Sequence, residues 1–160
     1  MFNIRTATLN DLPALLQFEQ AVIEAERPYC PNMQETPFLY YDLQAMINRD
    51  CTEVMVAEIV DQASQTTQLV ASGYADIRDD RHYLTHDKIG YLGFMYVIPE
   101  SRGQGVNHLI IDALIKWSHS KGIEHFVLDA FAENTAALRA YEKLGFQPGL
   151  LQMRLHKPQS

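Results

Sequence analysis

Basic residues are scarce in this chain. Lys and Arg number 13 against 20 Asp and Glu, giving a net charge of -7. General nucleic-acid binding depends on clustered cations that neutralise phosphates, so no nucleic-acid partner is expected. Long apolar runs are missing too. None approaches the roughly 20 residues that a helix needs to span a bilayer, so no membrane partner is expected. The opening MFNIRTATLND has no continuous apolar stretch and no small-residue cleavage site, which makes a cytoplasmic location the expectation. Cysteine occurs twice, at Cys30 and Cys51, and both are expected to be free thiols. No neighbouring pattern marks Cys30, in PYCP, as a nucleophile. His82 and His86 stand four apart, but outside any helical pattern and without a third ligand, so no metal is expected. There is no internal repeat and no low-complexity segment.

What is present is enough for one core. The 160 residues are 47% hydrophobic and 21% charged, which fits a single folded domain over 1–160. FNIRTAT (2–8) alternates like a strand. Asn10 or Asp11 would cap a helix whose apolar face is Leu12, Leu15, Leu16, Phe18 or Glu19, Val22 and Ile23, ending before Pro28. RPYCPNMQETP reads as a loop and FLYYDLQAMINR as a short second helix. EVMVAEIV (53–60) and LVASGYADIR (69–78) form a hairpin, with Gly73 marking a bulge or a close backbone approach. KIGYLGFMYVI (88–98) is a long apolar strand that stops at Pro99. A helix follows with Val106, Leu109, Ile110, Ala113, Leu114 and Trp117 on one face and Gly122 at its stop. HFVLDAF (125–131) reads as a buried strand. NTAALRAYEKLG reads as a helix capped by Asn134 and stopped at Gly145. LLQMRLH (150–156) reads as a closing strand. The order β-α-α-β-β-β-α-β-α-β is mixed α/β or α+β, not a doubly wound sheet.

The stretch between the long strand and its helix, PESRGQGVN, carries the first chemical signal. A helix N-terminus offers N–H groups without partners and a positive dipole end. Glycines let the backbone approach an anion, and Arg102 adds a charge-assisted donor. This combination suits a pyrophosphate. A nucleoside-triphosphate loop would need Gly-Lys-Ser/Thr where this turn has Gly-Val-Asn. A dinucleotide fingerprint would need a third glycine where this chain has His108. On the turn alone, glycine used for chain geometry is an equal alternative.

Arg102-x-x-Gly105-x-Asn107 resembles the Gln/Arg-x-x-Gly-x-Gly/Ala motif of the GCN5-related N-acetyltransferase (GNAT) superfamily. MYVIPESRGQGV is similar to that family's strand and coenzyme A loop, DAFAENTAALRAYEKLGFQP to its second signature, and IRTATLNDLPALL to its usual opening. The resemblance covers the chain in the right order. It implies a central, mostly antiparallel sheet with splayed fourth and fifth strands and about four flanking helices. It implies acetyl-coenzyme A as cosubstrate, with main-chain groups of Met95, Tyr96 and Val97 along the pantetheine. It places the pyrophosphate on Arg102, Gly103, Gln104, Gly105, Val106 and Asn107, and it gives Asn134 a further contact. Asn107 departs from the family, which has Gly or Ala there. Tyr141 matches the tyrosine that protonates the departing thiolate. A phenol with a pKa of about 10 is protonated at neutral pH and needs no tuning for that role.

Many members carry a glutamate on the fourth strand, where this chain has Tyr91-Leu92-Gly93-Phe94. Asp76, Asp79, His86, Asp129 and Glu133 are the other candidates for a base. A lysine amine is neutral in only about one molecule in 2,500 at pH 7, an α-amine in about one in ten. A small-molecule or peptide α-amine acceptor is therefore expected. The segment RPYCPNMQETPFLYY (27–41) supplies Tyr29, Phe38, Tyr40 and Tyr41, and Glu26 and Glu35 stand in or beside it. Together they could wall a pocket for a cationic amine. A coenzyme A-binding or ligand-sensing domain without catalysis is the alternative from another class. The resemblance also allows a homodimer.

Overall fold

The computed structural model describes all residues, Met1–Ser160. They form two compact units, Met1–Asp129 and Ala130–Ser160.

The first unit is built on a five-stranded sheet in the order β1-β2-β3-β4-β5. Its strands are β1 (Asn3–Thr6), β2 (Thr52–Val60), β3 (Thr67–Asp79), β4 (Lys88–Val97) and β5 (Phe126–Leu128). β1 through β4 pair antiparallel, and β5 pairs parallel with β4. The helices of this unit are α1 (Leu12–Glu26), α2 (Leu43–Asn48) and α3 (Val106–Ser120). This is the expected mixed α+β architecture. No helix is long and apolar enough to cross a membrane.

Alternation along β3 sends the helices to opposite faces of the sheet. Tyr74 packs with Leu15, Phe18, Val22, Leu43, Met46 and Phe94 in the core under α1 and α2. Its neighbour Gly73 faces the other way. A Cβ on Gly73 would lie 2.6 Å from Ile110 Cγ2 and 2.7 Å from Met95 Sδ, so α3 is seated directly on the backbone of β3. Gly73 is thus the close approach expected of it. The start of α1 is pinned to β1 and β2 by Arg5, which donates to Asp11 Oδ1 and Oδ2 at 2.9 and 2.8 Å and to Glu58 Oε2 at 3.0 Å. The Arg5 guanidinium holds the Asp11 carboxyl below the usual carboxylate range. Asp11 also accepts from Thr8 N at 2.8 Å, so the helix entry is a Thr8–Asp11 box, not a cap by Asn10 or Asp11 alone.

Several expectations need correction. α2 begins only at Leu43, where the Asp42 carboxylate accepts from Ala45 N at 3.1 Å; residues 38–42 stay non-helical. α3 buries Val106, Ile110, Ile111, Leu114 and Ser118, while Leu109 is exposed. Ser118 can join the buried face because it satisfies its hydroxyl locally, donating to Leu114 O at 2.8 Å. β5 is shorter than expected and half-exposed rather than buried, as befits an edge strand.

The second unit holds α4 (Thr135–Lys143). Asn134 caps it, its Oδ1 accepting from Ala137 N at 3.3 Å. Gly145, at φ +98, ends it, with Gly145 N and Phe146 N returning to Glu142 O and Tyr141 O. The expected strand 150–156 is not formed. Those residues have no regular structure, and Leu150, Leu151, Met153 and Leu155 are exposed. Alternation gives a segment strand propensity, but a strand exists only where a partner completes its ladder.

Candidate active site

β4 is irregular where the sequence looks most uniform. Tyr74 pairs with Gly93 and Ser72 with Tyr96, so three steps on β4 match two on β3. The extra residue makes a bulge at Phe94 and Met95, with Phe94 at φ +55. Ser72, wholly buried, donates its hydroxyl to Phe94 O at 3.1 Å and fixes the bulge from the neighbouring strand. On the other side of β4, pairing with β5 runs from Gly90↔Phe126 to Leu92↔Leu128 and stops. From Gly93 to Val97 the outer edge of β4 has no strand beside it. The backbone groups of Met95, Tyr96 and Val97 therefore border an open edge, as a ligand bound like an added strand requires.

The turn after β4 leads from this edge into α3. Ser101 N and Arg102 N close a 3-10 turn on Ile98 O and Pro99 O. The next amide with an acceptor in the protein is that of Leu109, on Gly105 O at 3.3 Å. The N–H groups of Gly103, Gln104, Gly105, Val106, Asn107 and His108 are left for an external acceptor. Gly103 and Gly105 sit at φ +76 and +80, the left-handed region, and a Cβ on either would meet nothing within 4 Å. The glycines are needed for backbone conformation, and the space beside them is open. Arg102 Nε donates to Val97 O at 3.0 Å, and its guanidinium lies 6.0 Å over the Tyr96 ring, so the cation is held at the mouth of the turn. Gln104 instead turns back, donating to Glu100 O at 3.2 Å. Val106 is buried and anchors the helix, and Asn107 is half-buried. This donor set, with one cation and no carboxylate facing it by hydrogen bond, fits a pyrophosphate. Two open grooves flank the turn. One of about 510 Å³ is lined by Phe2, Ile59, Glu100 and Gln104, the other of about 460 Å³ by Asn10, Phe18, Leu69 and Ile98. Neither includes the bulge.

An aromatic chain leads from the segment after α1 to the bulge. Ring centroids of Phe38–Tyr40, Tyr40–Tyr41 and Tyr41–Phe94 lie 5.7, 5.7 and 5.2 Å apart, and Tyr41 also meets Tyr74 at 5.5 Å. Tyr40 donates to Glu26 Oε2 at 2.9 Å; burial raises the Glu26 pKa, and burial together with the Glu26 bond raises that of Tyr40. Of the other expected wall residues, Tyr29 is half-buried in a 3-10 turn and Glu35 is exposed. Glu19, which the sequence left as an ambiguous member of an apolar stripe, is wholly buried and accepts from Tyr41 N at 2.7 Å. It ties the aromatic segment to α1. Its other oxygen, Oε1, has no partner.

Burial raises the Glu19 pKa above its ordinary value of 4.5, the amides of Tyr41 and Tyr40 opposing the rise. A carboxyl whose folded-state pKa is raised favours folding while it is protonated, and that contribution is lost as pH climbs through the raised value. Glu19→Gln has no such charge to bury. The melting temperature of the wild type relative to Glu19→Gln is therefore expected to fall as pH rises from about 4.5 upward. Parallel thermal melts from pH 4 to 8 check this, and a constant difference would contradict it.

The candidate bases are dispersed. Asp76 accepts from Thr52 Oγ1 at 2.7 Å and Arg78 Nε at 2.9 Å. Asp79 pairs with Lys88. His86 binds Asp80 at 2.6 Å through Nε2 and stacks on His125 at 3.6 Å. Asp129 accepts from Tyr91 OH at 2.7 Å. Glu133 is exposed in the second unit. No group of three His, Cys, Asp or Glu side chains is arranged to hold a metal. Tyr141 is half-buried on α4, its ring 5.9 Å from that of Phe146.

A bulged strand with one open edge, followed by a donor-rich glycine turn at a helix start, is the arrangement that the resemblance to the GNAT superfamily implied. The comparison by sequence agrees: the Acetyltransferase (GNAT) family matches residues 19–146, and the chain belongs to that family. Among solved structures, a tetramutant of a Bacillus halodurans protein is similar at TM-score 0.80 and 22% identity, over 97% of this chain and 99% of that one. A predicted acetyltransferase of Clostridium acetobutylicum, solved with acetyl-CoA, is similar at TM-score 0.69 and 21% identity, over 98% and 96%. An aminoglycoside antibiotic 6'-N-acetyltransferase of Acinetobacter baumannii is similar at TM-score 0.71 and 17% identity, over the full length of both. No curated protein matches the sequence.

Proposed function

We propose that this acetyltransferase moves the acetyl group of acetyl-coenzyme A to a primary amine, a small molecule or a peptide α-amine, by direct attack in a ternary complex. The observation that carries this reading is the edge of β4 from Gly93 to Val97 with no strand beside it, followed after a short 3-10 turn by the six amides of residues 103–108 that have no acceptor in the protein. In it, Met95, Tyr96 and Val97 bind the pantetheine by main chain, and one amide of the bulge polarises the thioester carbonyl. The turn from Arg102 to Asn107 holds the pyrophosphate. Asn134 and Tyr141 take their roles from the sequence motif, as a cofactor contact and as the acid that protonates the thiolate. The aromatic segment with Glu26 beside it suits a cationic, partly apolar amine. Similarity to an aminoglycoside acetyltransferase supports a small-molecule acceptor. Self-association into a homodimer belongs to the same proposal, and light scattering tests it.

The test is thiol release from acetyl-coenzyme A across a panel of α-amines, aminoglycosides and lysine ε-amines at pH 7. The α-amines and small amines should be turned over best. Preference for lysine ε-amines would refute the acceptor class. Saturable binding of acetyl-coenzyme A with no turnover of any amine would favour a ligand-sensing domain.

A further inference from the structure

Gly93, the last residue of β4 before the bulge, leaves no room for a carboxylate of its own. A Cβ there would lie 2.6 Å from the Tyr74 ring. Any acid serving this point has to come from another element. β5 provides one. Its pairing with β4 ends at Leu92↔Leu128, so Asp129 is the first residue past the vertex where the two strands part, level with Gly93. Tyr91, on the same face of β4 as Gly93, donates its hydroxyl to Asp129 Oδ2 at 2.7 Å. Asp129 Oδ1 has no hydrogen bond within the protein, and the residue is exposed. Arg78, which lies 3.9 Å over the Tyr91 ring, is turned to Asp76 instead. Of the other acids near this face, Asp76 has both oxygens taken by Thr52 and Arg78, Glu26 accepts from Tyr40, and Glu19, although its Oε1 has no partner, is wholly buried, whereas Asp129 is exposed.

We propose that Asp129 takes the proton from the acceptor ammonium and that Tyr91 is a positioning residue that aims its carboxylate at the opening between β4 and β5. The assignment rests on the acetyltransferase reading above. The ammonium loses one proton to Asp129 Oδ1, which passes it to solvent. The freed nitrogen lone pair bonds to the thioester carbon, and the carbon–sulfur bond breaks with its electron pair leaving on sulfur. The second nitrogen proton is released as the amide forms, and the sulfur gains one, so the sum is ammonium plus thioester to amide, thiol and one proton. Burial first, then the bond to Asp129, holds the Tyr91 phenol above its ordinary pKa, so Tyr91 stays a donor and Asp129 remains the acceptor.

The test compares wild type, Asp129→Asn, Asp129→Glu and Tyr91→Phe at pH 7, with neamine, 2-phenylethylamine and alanyl-alanine as acceptors. Asp129→Asn should lower kcat by about 10²- to 10⁴-fold with these amines, the usual span for a lost general base. Asp129→Glu should recover part of it. Tyr91→Phe should cost about tenfold in kcat with KM for acetyl-coenzyme A unchanged. With hydroxylamine, whose nitrogen is already neutral at pH 7, all three losses should shrink markedly. Melting temperatures and acetyl-coenzyme A affinity should stay at wild-type levels. An Asp129→Asn enzyme within about threefold of wild type on all amines overturns the assignment, as does an equal loss with hydroxylamine. Wild type that binds acetyl-coenzyme A but acetylates none of these acceptors overturns it as well. Wild type that fails to bind acetyl-coenzyme A at all strikes the underlying reading instead.

Discussion

Tyr141→Phe is expected to lower kcat by about 10²-fold or more while leaving the affinity for acetyl-coenzyme A within about twofold. The substitution keeps the ring, and with it the edge contact to Phe146 that helps close the end of α4. Only the hydroxyl is lost. A residue whose work was packing would show the opposite pattern, with wild-type turnover and any penalty confined to stability. A residue that protonates the leaving thiolate touches sulfur only as the carbon–sulfur bond breaks. Its loss lowers kcat and kcat/KM together and leaves ground-state binding alone. Stopped-flow or steady-state thiol release, paired with a binding titration, separates the two. Unchanged turnover would remove Tyr141 from the chemistry.

Ile110→Ala should destabilise the protein by about 2–5 kcal/mol, the range for truncating a fully buried branched side chain. Ile110 is 0% exposed, and its Cγ2 lies 2.6 Å from where a Cβ on Gly73 would be. The glycine on β3 and the isoleucine on α3 are a matched pair: one gives up its side chain so that the other can reach the sheet. Removing the isoleucine leaves a void against backbone, which relaxes poorly. In the proposed site the same helix presents its first turn to the pyrophosphate, so loosening it should also weaken binding of acetyl-coenzyme A. Thermal or urea unfolding measures the first effect. A loss below about 1 kcal/mol would mean that neighbouring side chains collapse into the space.

The sequence was most informative where local chemistry decides structure. Gly103, Gly105, Gly122 and Gly145 all take positive φ, and Asn134 caps its helix, as turn and cap chemistry dictates. The hairpin of β2 and β3 and the run into Pro99 follow from alternation and from proline. What sequence could not show depends on distant partners. The bulge at Phe94 arises from mismatched steps on two strands, and its fixing hydroxyl, Ser72, lies 22 residues away. Glu19 breaks an apolar stripe on paper, yet it is core, because Tyr41 N, also 22 residues away, meets it. Ser118 was passed over for a different reason: a polar side chain does not look like core, although it satisfies its hydroxyl one turn back on Leu114 O. The 150–156 segment shows the converse: the alternation was there, but the ladder was not. For the candidate site, motif and glycine singled out the turn and the edge residues Met95 to Val97, which remain proposed contacts. The meeting of Tyr91 with Asp129 was not, although an acid directly after an apolar strand is a signal that could have singled it out.

The proposed reaction depends on the turn from Arg102 to Asn107 holding the pyrophosphate of acetyl-coenzyme A. Calorimetric titration of the wild type and of Arg102→Ala with acetyl-coenzyme A tests it most directly. Arg102 is held by Val97 O at the mouth of the turn, beside amides that have no other acceptor, and a charge-assisted bond of this kind contributes about 1.5–3 kcal/mol. Saturable binding by the wild type, weakened about tenfold or more in Arg102→Ala, is the predicted result. Equal affinity in the two proteins would put the pyrophosphate elsewhere. No binding at millimolar ligand would mean that Asn107 closes the turn and that its glycines serve chain geometry alone.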